Sequence, residues 1–136
     1  MAQSPQLKQS SPTSPDPQDF RLDATPAMRA DNVVSGEHWR IGLITDSLVR
    51  FEWSDSGVFE NRPTQTVLNR DFGSPVERRV TERDGRVIID TAALTIVYDQ
   101  QPFSKEGLSV VVKGVADTQF NTWHYGDAQR GNFKGT

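Results

Sequence analysis

The sequence predicts an all-β fold, an antiparallel β-sandwich behind a disordered N-terminal tail. Three observations carry this prediction. From residue 39 onward, short runs of alternating apolar and polar residues recur, rich in Val, Ile, Tyr and Trp. Turn residues separate them at intervals of roughly eight to twelve residues, the spacing of a sandwich. Beyond the tail, no stretch sustains a helical period.

The elements follow in order. Residues 1–19 are almost wholly Ser, Pro, Gln and small polar residues, with Pro5, Pro12, Pro15 and Pro17 supplying half of the chain's 8 prolines. Such a segment buries too little apolar area to offset its ordering entropy and reads as disordered. Residues 20–136 form the sandwich domain, entered through "FRLDATPAMRADNVV" as an extended lead-in. In "HWRIGLIT", Trp39, Ile41 and Leu43 alternate, and Gly42 permits a bulge or a close backbone approach. Thr45–Ser47 is turn chemistry. Then "LVRFEWS" turns Val49, Phe51 and Trp53 inward and leaves Arg50 and Glu52 on the other face, with Glu52 toward solvent.

The stretch "FENRPTQTVLNRDF" (59–72) is too polar for a core strand, and Pro63 fixes its backbone. It reads as a connection that becomes a strand, or as a sugar-binding edge. A second hairpin turns on Asp84-Gly85, a pair suited to positive φ, with Val76 and Val80 on one strand and Val87 and Ile89 on the other. "ALTIVYD" brings Leu94, Ile96 and Tyr98 into register, and "LSVVVKG" brings Leu108, Val110 and Val112. Trp123 stands in the last run, "FNTWHYG".

Composition excludes several function classes. The 136 residues suffice for one domain. With no cysteine there is no disulfide or thiolate site. A net charge of −3 offers nucleic acid no basic field. No apolar run approaches the roughly 20 residues of a membrane span, and the start lacks an apolar leader core. The expected setting is the cytoplasm, without nucleic acid or membrane as partner.

Candidate chemistry is sparse. His38 and His124 lack metal-ligand spacing, so no metal and no cofactor is expected. Glu52 with Glu60, or Asp90 with Asp99, could form a carboxylate pair, yet solvated faces and turn chemistry account for them. Arg78, Arg79, Arg83 and Arg86 are interleaved with Glu77, Glu82 and Asp84, which neutralise them. Trp39 and Trp53 take the inward register, whereas Trp123 and Tyr125 share a strand face and are candidates for stacking on an oligosaccharide.

Four segments in order, "RIGLITDSLVRFEWSDSGVFENRPTQTVLNRDF", "IDTAALTIVYDQQPF", "LSVVVKG" and "WHYGDAQRGNFKGT", resemble the N-terminal β-sandwich, galactose mutarotase-like, of glycoside hydrolase family 31, the α-glucosidases and α-xylosidases. Arg40, Thr45, Leu48, Arg50, Glu52, Ser54, Gly57, Phe59, Pro63, Thr64, Asn69 and Arg70 meet the family pattern. Asn61 stands where Asp is frequent, and "GNFKGT" is similar to the family's "NLGGT" with Lys134 in place of a Gly. The resemblance implies a catalytic (β/α)8 barrel elsewhere in the parent chain, hydrolysing α-linked glycosides with retention through two aspartates. It carries no catalytic residue onto this chain. It implies a packing role, with Arg62, Asn69 and Arg70 bonding within the sandwich or to the barrel. The alternative is a stand-alone carbohydrate-binding sandwich built on Trp123 and Tyr125.

Overall fold

In a computed structural model, residues 24–64, 67–116 and 121–128 are described. Among them, eight strands form two antiparallel sheets. β1 (Val33–Ser35), β2 (Trp39–Leu43) and β3 (Val49–Trp53) make a sheet of that order. β4 (Arg79–Arg83), β5 (Arg86–Asp90), β6 (Leu94–Tyr98), β7 (Leu108–Val112) and β8 (Thr122–His124) make the second, again in chain order. The fold is thus all-β, as its alternating patterns predict. The N-terminal tail and "GNFKGT" lie outside the described residues.

Local chemistry sets each register. The Thr45 hydroxyl accepts the N–H groups of Ser47 (3.2 Å) and Leu48 (3.0 Å), tightening the β2–β3 turn and placing Ile41 opposite Phe51. Between β4 and β5, Asp84 (φ 52°) and Gly85 (φ 74°) take the two left-handed positions of a type I′ turn. That turn places Val80 opposite Ile89.

The core lies between the sheets. Trp39, Ile41 and Leu43 of β2 meet Val87, Ile89, Ile96, Tyr98 and Leu108. Tyr98 meets Trp39 edge-on with ring centroids 5.3 Å apart. Its phenol donates to the Gln101 carbonyl, so a fully buried polar tip is satisfied. Each such apolar side chain contributes roughly 1.5–3 kcal/mol through burial.

Three strands cannot cover five. Val80 on the edge strand β4 is therefore 46% exposed and Val112 is 40% exposed, where alternation alone put both inside. Val76 precedes β4 instead of belonging to it, yet packs against the core. Trp53 is only half-buried, its indole N–H donating to Asp55. The lead-in forms a strand only at Val33–Ser35, after a 3-10 turn at Ala30–Asn32. No helix among the described residues is long and apolar enough to cross a membrane.

Candidate functional site

The three-stranded sheet has a second face, and it is polar. Cross-strand pairing puts Arg40 opposite Glu52 and Gly42 opposite Arg50, all pointing away from the core. Segments 24–32, 59–64 and 67–76 lie across this face, tied to it and to one another by the bonds below. At Gly42, a Cβ would stand 2.8 Å from the Met28 methyl, so what the glycine makes room for is a side chain, where a bulge or a close backbone was expected.

Side-chain-to-backbone bonds hold these segments together. Asn69 Oδ1 accepts the Thr25 N–H (2.9 Å), and the Arg70 N–H donates to the Thr25 carbonyl (2.7 Å). Farther along, Asn32 donates to the Ser74 carbonyl (3.1 Å) and accepts the Val76 N–H (2.7 Å). Asn32 is almost wholly buried, and with these bonds its amide is satisfied on both sides.

At the centre stands a charge cluster. Arg40 Nε donates to Glu52 Oε2 (2.6 Å), its Nη1 to Asn61 Oδ1 (2.9 Å) and its Nη2 to the Glu60 carbonyl (3.1 Å). The same guanidinium lies 4.9 Å from the Phe59 ring centroid, a cation–π contact. Arg50 Nε is 3.0 Å from Glu52 Oε1. Arg70, 0% exposed, donates to the carbonyls of Glu60 (3.3 Å) and Arg62 (2.9 Å) and so ties the loop closed. Desolvation lowers the proton affinity of Arg70, and repulsion from Arg50 and Arg40 adds to this.

Glu52 therefore does not face solvent, as its place in the alternation suggested. Its side chain is 11% exposed, because Glu60, Asn61 and Arg70 come back over the strand with its partner Arg40. Burial alone would raise its carboxyl, but the hydrogen bond from Arg40 and the adjacent Arg50 guanidinium hold it below the ordinary range. Among the described residues, every other shifted carboxyl moves the same way: Arg62 holds Glu60 at about 2, and Asp31, Asp90 and Asp127 are lowered by their bonded partners. A general acid for glycoside cleavage needs the opposite shift. These carboxylates organise structure.

The remaining candidates are dispersed. Arg62 pairs with Glu60 (2.8 Å) and its side chain is 83% exposed, unlike that of Arg70. Asp90 binds Thr95 (2.7 Å) and Lys113 (3.1 Å), while Asp99 accepts the Gln101 N–H (3.0 Å) in a turn. His38 bonds the Ser54 carbonyl, and His124 lies 3.6 Å from Asp127. No group of three or more potential metal ligands occurs among the described residues.

Trp123 and Tyr125 are 40% and 42% exposed, with centroids 6.4 Å apart at 82°. Trp123 stacks on Phe51 of the opposite sheet (6.3 Å, 12°), and Tyr125 leans on Phe103 (5.5 Å). With Phe51 and Phe103 they form an aromatic cluster that joins β3 to β8 and the residue after it.

The Arg40–Arg50–Glu52–Arg70 cluster was not singled out as a unit from the sequence. The turn at Thr45–Ser47 did contain the signal, since it sets Arg40 opposite Glu52. The cluster holds three guanidiniums against Glu52, so a second carboxylate should be favourable. Asn61→Asp, placing a carboxylate 2.9 Å from Arg40 Nη1, is expected to raise stability by about 0.5–1 kcal/mol at neutral pH, with the gain shrinking in high salt. Urea unfolding at two salt concentrations checks this.

A scan against protein-family models finds no match to this chain, and no curated protein matches it either.

Proposed function

We propose that this chain is a non-catalytic accessory sandwich of an α-glycosidase resembling glycoside hydrolase family 31. In this reading it packs on a catalytic (β/α)8 barrel of the parent protein and shapes the rim of its active site. The reading is supported by one observation above all. Several of the residues that carry the resemblance serve architecture around one polar sheet face and its turn: Thr45 caps the turn, Arg40 and Glu52 pair, Phe59 carries the Arg40 cation, Asn69 holds Thr25, and the buried Arg70 bonds the carbonyls of Glu60 and Arg62. Gly57 belongs with them, at φ +72° with the Glu37 carbonyl 2.9 Å from where a Cβ would stand. Arg62, the exposed basic residue of the loop, is then the side chain best placed to reach a barrel. The cysteine-free composition fits a cytoplasmic enzyme.

The test has two arms. Sequencing the gene beyond the codon for Thr136 should reveal an in-frame barrel with two aspartates at strand ends. The chain alone should not turn over aryl α-glucosides or α-xylosides. Turnover that a single carboxylate substitution abolishes overturns the assignment.

The exposure of Trp123 and Tyr125 favours a second reading, a carbohydrate-binding sandwich. Quenching of Trp123 fluorescence by malto-oligosaccharides, lost in Trp123→Ala, would support it over the first.

A further inference from the structure

We infer that the free edge of β3 is a self-pairing surface, on which a second copy of this chain adds antiparallel about a two-fold axis at Phe51. The hydrogen-bond alternation comes first. Ser54 donates to the His38 carbonyl (2.8 Å) and Ile44 to the Leu48 carbonyl (2.9 Å). In an antiparallel ladder this phase turns the backbone groups of Arg50 and Glu52 toward β2. Those of Val49, Phe51 and Trp53 then point away from it. Among the described residues, no strand pairs on that side, and no turn or loop backbone bond ends on these three.

The other edges are protected or short. On β8, the N–H and C=O of His124 are both taken by Asp127 (2.8 and 3.0 Å). β4 is exposed throughout and carries Arg79, Glu82 and Arg83, a charged guard against pairing. β1 has only three residues. β3 is five residues long and half-buried throughout. A half-buried apolar edge with free amides is a template for another strand.

Its sequence fits itself. Antiparallel pairing centred on Phe51 sets Arg50 opposite Glu52 of the second copy, and Glu52 opposite that copy's Arg50. On the inner face, Val49 meets the second copy's Trp53. Opposite charges and aromatic–aliphatic neighbours are the favourable cross-strand pairs. Arg50 is suited to this contact, because its side chain is 26% exposed and its buried Nε, though 3.0 Å from Glu52 Oε1, lies off the hydrogen-bond axis. The same two-fold would bring together the aromatic clusters of Phe51, Phe103, Trp123 and Tyr125, covering the exposed rings of Trp123 and Tyr125. A saccharide would cover rings but leave the amides unpaired. The inference stands on this edge and not on the proposed role.

Sedimentation and amide hydrogen exchange across micromolar to millimolar concentration test it. Mass should move from 15.2 kDa toward twice that, while exchange at the Phe51 and Trp53 amides slows about tenfold. Val49→Pro removes an outward N–H that β2 does not use, so it should keep the wild-type circular dichroism and stay monomeric. A wild type that remains monomeric at millimolar concentration overturns the inference. So does a dimer whose Phe51 and Trp53 amides exchange as fast as in the monomer, or an equally strong dimer of folded Val49→Pro. Should Val49→Pro unfold, the wild-type exchange decides alone. Protection of the same amides only on adding a short valine–threonine strand peptide, in a protein that stays monomeric, also overturns it.

Discussion

Glu52→Gln is expected to lower the unfolding free energy by about 3 kcal/mol, because removing one member of a buried ion pair strands the other. Here the loss strands Arg40 and Arg50 beside the fully buried Arg70, with no carboxylate left between them. In a domain of this size that corresponds to a fall in Tm of roughly 12–20 °C. The dependence on pH gives the mechanism a separate signature. The folded-state pKa of Glu52 lies below its ordinary value of 4.5, so the folded protein binds fewer protons than the unfolded chain as pH falls through that value. The stabilisation is complete above about pH 4.5 and is lost on further acidification toward the folded-state pKa. Glu52→Gln should therefore flatten the acid limb of the stability curve as well as lower its plateau. Urea denaturation from pH 3 to pH 7, in roughly half-unit steps, reads both effects. A variant that loses stability equally at every pH would indicate lost packing instead.

Tyr98→Ala should cost about 4 kcal/mol, near the upper range for removing a buried aromatic ring. The ring is 0% exposed, lies edge-on to Trp39 and touches Phe103 at 5.6 Å, so its loss opens a cavity between the sheets. Tyr98→Phe should cost only about 1 kcal/mol, the worth of the bond to the Gln101 carbonyl. The contrast separates ring packing from the hydroxyl. Burial, with a smaller contribution from Asp99, pushes the Tyr98 phenol up to about 12. A group raised on folding stabilises fully below its unfolded value near 10, and that contribution is lost as pH climbs through the folded value. The phenolate absorbance of wild type minus Tyr98→Phe should accordingly show one tyrosine titrating near 12.

What could be read from the sequence was local. The Asp84-Gly85 turn and the alternation through β5 and β6 depend on residues a few positions apart, and Val87, Ile89, Leu94, Ile96 and Tyr98 are buried accordingly. Misplaced residues depended on something distant. Val80 alternates correctly but sits on an edge that no facing strand covers, and period-two patterning carries no information about the width of the opposing sheet. Glu52 alternates as a solvent-facing residue and is buried by a loop that follows it, returning through Glu60, Asn61 and Arg70. Arg62, Asn69 and Arg70 came as one group from the resemblance. The structure separates them: Arg62 is at the surface, Asn69 is tied to Thr25, and Arg70 is enclosed. A polar run can bury one of its guanidiniums, as at Arg70, when the partners are backbone carbonyls, and composition does not distinguish that from a wholly solvated edge.

The latch of Thr25 on Asn69 and of Asn32 on Val76 also bears on the order of folding. Among the described residues, every strand pairs with a neighbour in sequence, so both sheets can zip up by closing short loops. The latch bonds instead join positions 44 residues apart. Closing such a loop costs chain entropy before any bond offsets it. The outer layer should be the last part to assemble and the first to open, a separate cooperative unit on a preformed pair of sheets. While it is open, Arg70 and Glu52 are hydrated and unpaired from their loop, so the charge cluster acts as a lock that engages only once the sheets beneath it are complete.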